Sequence, residues 1–121
     1  MSAVELHILG QRMQEAKKAA ARRNPLESDP DVVAAGGKLF SVHCAECHGD
    51  MAEGTKKAPS LLADEVQQST PGTLFWLLTN GVVRRGMPVW SKLPEAQRWQ
   101  LVSYIKSLRS DKVETNATEK P

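Results

Sequence analysis

Two cysteines and a histidine within one pentapeptide, Cys44-Ala45-Glu46-Cys47-His48, constrain this chain more than any other feature. Thiols three positions apart fall on one side of a single helical turn, so both can reach one edge of a planar macrocycle together. The imidazole that follows is then held beneath that plane, where it can bind a metal from the proximal side. This is the CxxCH pattern of covalent c-type haem attachment, with Cys44 and Cys47 as tethers and His48 as an iron ligand.

CxxC alone also serves thioredoxin-like redox pairs and half of a zinc site. A redox pair belongs between a strand and a helix of a βαβ unit, but the residues before Cys44 carry a helical pattern. A structural zinc site needs two further ligands, and the chain has no other cysteine and only His7 and His43 besides His48. Haem needs one ligand more, on the opposite face. Of the methionines, Met51 is too close to His48 to pass around the edge of a macrocycle, and Met1 and Met13 lie in a polar leader. Met87 remains, in Arg85-Gly86-Met87-Pro88, where Gly permits unusual backbone angles and Pro stops a helix, so the thioether can be presented from a loop. The expected iron ligands are therefore His48 and Met87. Arg84, Arg85 and Trp90, close to Met87 in the chain, are candidates to hold the haem propionates.

A chain of 121 residues is one domain at most. Removing its polar ends leaves about 80 residues, a size at which apolar burial alone is marginal and a cofactor is a common staple. The net charge of +2 is too small to suggest nucleic acid as a partner. No run approaches the roughly 18 apolar residues of a membrane span, so no integral membrane segment is expected. With both cysteines on haem, no disulfide is expected either.

Residues 1–28 read as a polar, weakly helical extension and linker, residues 29–109 as the domain, and residues 110–121 as a disordered polar tail. In the extension the apolar patch Val4, Leu6, Ile8, Leu9 is short, broken by charge, and followed rather than preceded by Lys17, Lys18, Arg22 and Arg23. That order does not fit a secretory signal, and a solvated helix is the default expectation. The domain opens with Asp29 as N-cap and Pro30 in the first helical position. From there Val32, Val33, Gly36, Leu39 and Phe40 repeat at helical spacing, and the interior Gly36, costly in a helix, predicts a close crossing of two helices. Ser69 or Thr70 caps a second helix that starts at Pro71 and stops at Gly81. A last helix opens at Leu93-Pro94-Glu95 with a poor cap and buries Leu101, Val102, Ile105 and Leu108. Asn116-Ala117-Thr118 matches a glycosylation sequon, a match expected by chance.

From Asp29 to Leu108 the chain resembles the small class I cytochromes c. Gly36 and Phe40 stand where that family has the Gly and aromatic of its first helix, and Leu101 and Tyr104 where its last helix crosses the first. Ala58-Pro59-Ser60-Leu61 is similar to the family's Pro-x-Leu segment, which implies that the Pro59 carbonyl accepts from the ring N–H of His48. Phe75-Trp76, Asn80-Gly81, Met87-Pro88 and Gln97-Arg98-Trp99 look most like bacterial members that serve quinoprotein dehydrogenases or respiratory oxidases. The resemblance implies an all-α fold of three to five helices around one haem c, and a periplasmic location.

Iron held by both His48 and Met87 has no vacant position, so the expected function is electron transfer and not catalysis. The expected protein is a soluble monomer that takes electrons from a dehydrogenase or reductase and gives them to an oxidase or reductase. The alternatives are a haem accessory domain of a dehydrogenase, a peroxidase, or a gas sensor in which Met87 is displaced.

Overall fold

The computed structural model describes the backbone of residues 2–27 and 29–119 and the side chains of that range up to Arg109. Among the described residues there are six α-helices: α1 (Ala3–Ala20), α2 (Pro30–His43), α3 (Ala45–His48), α4 (Asp64–Gln67), α5 (Pro71–Asn80) and α6 (Glu95–Glu119), with a 3-10 turn at Val83–Arg85. The all-α class stands. The number exceeds the expected three to five because α3 and α4 are single turns, too short to leave a periodic signal, and because the extension forms a full helix.

The helix starts follow local chemistry. Asp29 accepts from the Asp31 N–H ahead of Pro30, and Thr70 accepts from the Thr73 N–H ahead of Pro71, each satisfying a donor the helix leaves free. Ser2 does the same for the Glu5 N–H at the start of α1. Helix α5 ends where Gly81 takes φ 70°, a conformation without a Cβ penalty only for glycine. Helix α6 begins without an acidic or hydroxyl cap; the Pro94 carbonyl receives the N–H groups of Gln97 and Arg98.

Helices α2 and α6 cross at Gly36. A Cβ there would lie 2.0 Å from the Gln100 carbonyl oxygen, so the absence of a side chain is what lets the backbones meet. One turn on, the Phe40 and Tyr104 rings pack with centroids 5.2 Å apart. The core spreads from this crossing through Leu101, Val102 and Ile105 of α6 to Leu74, Phe75 and Leu78 of α5, with Trp99 stacked on Phe75 at 4.0 Å.

The extension divides into two parts. Val4, Leu6, Ile8, Leu9 and Met13 are exposed, in line with a solvated helix, but the end of α1 docks: Ala19 is buried. Arg22 lies over the Phe75 ring at 4.9 Å and pairs with Glu95 at 2.9 Å. Asn24, in the expected linker, is buried and donates to Ser103 Oγ at 2.8 Å and to the Trp99 carbonyl at 3.3 Å.

The backbone of α6 continues to Glu119, past Arg109 where the apolar pattern stops. The side chains of residues 110–121, on which the expectations of a disordered tail and of the Asn116 sequon bear, lie outside the described residues. No helix among the described residues is long and apolar enough to cross a membrane.

Candidate haem site

Cys44 closes α2, its N–H bonded to the Phe40 carbonyl at 2.8 Å, and opens α3. Within that turn the Cys47 and His48 N–H groups both return to the Cys44 carbonyl, at 3.2 and 3.0 Å. Ala45 is buried in the core, which orients the turn. Both thiols are free and half-buried. Burial, and secondarily the neighbouring Cys47, push the Cys44 thiol up to about 11. The pair lies between two helices, with no strand before Cys44 among the described residues, which disfavours the thioredoxin-like alternative.

Beyond Gly49, at φ 91°, the chain folds back under the turn. Gly54 N–H donates to the His48 carbonyl at 2.7 Å, Thr55 Oγ1 donates to the Cys47 carbonyl, and Leu61 N–H donates to the Ala52 carbonyl at 2.9 Å. Gly54 permits this fold-back, since a Cβ there would meet Ser60 N at 2.6 Å. The result places the Pro59 carbonyl oxygen 2.9 Å from His48 Nδ1. With Nδ1–H donating to Pro59, the ring is held in the tautomer whose Nε2 lone pair is free to bind a metal.

Met87 is presented from a closed loop. Val82 and Met87 exchange two backbone hydrogen bonds, at 3.0 and 3.1 Å, around the Val83–Arg85 turn and left-handed Gly86. The side chain is half-buried and packs against the core cluster. Trp90 N–H donates to the Leu78 carbonyl at 2.9 Å, and its half-buried indole lies 5.0 Å from the His43 ring. Arg84 and Arg85 are exposed on the turn between. Two free thiols in one turn and an oriented imidazole form a donor set that fits haem c.

Sequence reasoning passed over the residues that shape this site from behind. Gly54 ends what reads as a polar, turn-rich stretch and Thr55 opens what reads as an irregular loop, and Ala52, fully buried at φ 59°, carries no sequence signal because its conformation is atypical for alanine. Gln67, 3% exposed, reads as a surface residue by type.

Residues 31–105 match the family described as cytochrome c oxidase, cbb3-type, subunit III. The chain is similar to the cbb3-type cytochrome c oxidase subunit CcoP of Azospirillum sp. (strain B510), 34% identical over 99 residues, covering 74% of this chain and 33% of that one. It is also similar to CcoP of Rubrivivax gelatinosus, 38% identical over 64 residues, covering 43% of this chain and 21% of that one. FixP of Bradyrhizobium sp. (strain ORS 278) is 38% identical over 85 residues, covering 65% of this chain and 28% of that one. The chain thus spans about a third or less of the length of these relatives. Among solved structures, cytochrome cL of the marine methylotroph Methylophaga aminisulfidivorans MPT superposes with a TM-score of 0.63 at 26% identity, covering 82% of this chain and 75% of that one. The chain belongs to the cytochrome c family defined by the cbb3-type subunit III domain, with the fold of a class I cytochrome c and one haem c attached through Cys44 and Cys47.

Proposed function

We propose that this chain is a single-electron carrier whose haem iron is held between His48 and Met87, and that it works in the periplasm. Haem c supplies a centre that cycles between the ferrous and ferric states. The chain supplies the ligands and their surroundings. Pro59 holds the His48 ring and makes it a better donor. The Val82–Met87 bridge fixes the loop from which the thioether reaches inward. With His48 and Met87 both holding the iron, no coordination position would remain for dioxygen, peroxide or an organic substrate, which would leave electron exchange as its chemistry and give no residue of the chain a catalytic role. The soft thioether favours ferrous iron, and burial penalises the extra ferric charge, so a positive midpoint potential is expected.

The observation that carries this reading is the hydrogen bond between His48 Nδ1 and the Pro59 carbonyl beside two free thiols. Arg85 and Trp90 stand on the Met87 loop as the candidates to hold the propionates. The relatives are oxidase subunits by name, so a respiratory oxidase, or a module that feeds one, is the proposed acceptor, and a dehydrogenase or reductase the donor. The CxxCH turn and the loop after it expose Glu46, Asp50, Glu53, Lys56 and Lys57, and the Met87 loop and its flank expose Arg84, Arg85 and Lys92. Such mixed charge suits a weak, salt-sensitive contact made by a monomer.

The decisive experiment is optical. The ferric protein is expected to show the weak far-red band of a sulfur–iron bond, and the reduced protein is expected not to bind carbon monoxide. Met87→Ala removes the band, opens the reduced protein to carbon monoxide and lowers the midpoint potential. Ready carbon monoxide binding by the unmodified protein would replace the carrier reading with a sensor or peroxidase.

A further inference from the structure

We infer that Gln67 is a positioning residue for His48: it anchors to helix α6 the segment whose Pro59 carbonyl holds the imidazole. The inference rests on His48 being an iron ligand.

Pro59-Ser60-Leu61 belongs to no helix. Its backbone is held on one side by Leu61 N–H donating to the Ala52 carbonyl at 2.9 Å. On the other side Gln67 Nε2 donates to the Leu61 carbonyl at 2.7 Å. The same nitrogen donates to the Ile105 carbonyl of α6 at 3.0 Å, so one amide bridges the ligand-supporting segment and the central helix. Two residues before Leu61, the Pro59 carbonyl points at His48 Nδ1. The direction of that carbonyl is therefore set, through one short stretch of backbone, by where Gln67 holds Leu61.

The rest of Gln67 shows what keeps the amide there. Its Oε1 is buried without a hydrogen-bond partner among the described residues. An unsatisfied buried acceptor is a cost that an apolar side chain of similar size avoids. The favourable contribution thus comes from the two donor bonds, which a core-filling side chain could not make. Helix α4, which carries Gln67, is a single turn tied separately to α6 by Lys106 Nζ, which donates to the Gln67 carbonyl and, at 3.0 Å, to the Ser69 carbonyl. Removing the amide and removing the lysine can therefore be compared: both loosen α4 from α6, but only the first releases Leu61.

The test uses the holoprotein in three variants, Gln67→Met, Gln67→Asn and Lys106→Met. The readouts are hydrogen exchange at His48 Nδ1–H by NMR and the midpoint potential. Gln67→Met is expected to speed the exchange at least tenfold and to raise the potential, because a slack Pro59 acceptor makes the imidazole a poorer donor to ferric iron. Gln67→Asn, whose shorter amide cannot span both carbonyls, is expected to change both in the same direction and serves if the Met variant does not fold. Lys106→Met is expected to lower thermal stability and leave both readouts unchanged. Unchanged exchange in the Gln67 variants, or the same acceleration in Lys106→Met, would overturn the positioning role. A wild-type Nδ1–H signal without hyperfine shift in the ferric state would instead remove His48 as a ligand, and this inference with it.

Discussion

Gly72 of α5 lies so close to Ala19 of α1 that a Cβ at Gly72 would sit 1.8 Å from the Ala19 carbonyl oxygen. Gly72 is the second residue of α5, and replacing a helical glycine by alanine ordinarily stabilises a helix, by up to roughly 1 kcal/mol in its interior. Here the sign reverses, because the atom in the way is backbone and cannot swing aside. Gly72→Ala is expected to displace the end of α1 and to cost about 1–3 kcal/mol in urea unfolding, the range of overpacked sites. A variant as stable as the wild type would mean that α1 does not dock on α5 in solution.

Asn24 tests how the segment after α1 is held on α6. Its amide donates to Trp99 and Ser103 and its Oδ1 accepts from the Leu26 N–H at 2.8 Å. Asn24→Ala strips these bonds and leaves the buried Ser103 hydroxyl without its donor, which is expected to cost about 1–3 kcal/mol. The urea midpoint should fall with little change in the slope, since the surface exposed on unfolding hardly alters.

The crossing at Gly36 is less forgiving. Its would-be Cβ meets the Gln100 carbonyl oxygen at 2.0 Å and Tyr104 Cβ at 2.8 Å, so α2 and α6 must separate to admit alanine. Gly36→Ala is expected to cost about 3 kcal/mol or more, the upper end for overpacking, and to lower the thermal midpoint of the holoprotein. Normal stability in this variant would contradict the α2–α6 crossing.

Glu95 and Arg22 join the start of α6 to the segment after α1. The hydrogen bond from Arg22 holds the Glu95 carboxyl below its usual 4.5, opposed by partial desolvation and helped by the Arg22 charge. A carboxyl lowered in the folded state stabilises fully above its unfolded value and loses that contribution as pH falls through its folded value. The stability gap between wild type and Glu95→Gln is therefore expected at neutral pH and to vanish in acid. It is also expected to shrink in high salt, because both partners are exposed. A gap that persisted at low pH would assign the effect to something other than this ion pair.

Much of this protein is legible in its sequence. Cys44, Cys47 and His48 are adjacent in the chain, so their joint placement is a matter of one helical turn and needs no long-range contact. The starts at Asp29-Pro30 and Thr70-Pro71 and the stop at Gly81 follow from donors and backbone angles that neighbouring residues supply. Gly36 announced a close crossing because a glycine inside an apolar helical stripe has few other reasons to be there. What the chain could not declare by itself is where its polar side chains would be satisfied. Arg22, Asn24 and Gln67 read as solvated residues by type, and became buried or bridging only when carbonyls and rings as many as 79 positions away came within reach. Likewise, nothing in Leu61 or Pro59 says which helix will steady the carbonyl that holds His48. Hydrogen bonds between distant segments depend on the path of the whole backbone, and that path is decided by how the helices pack.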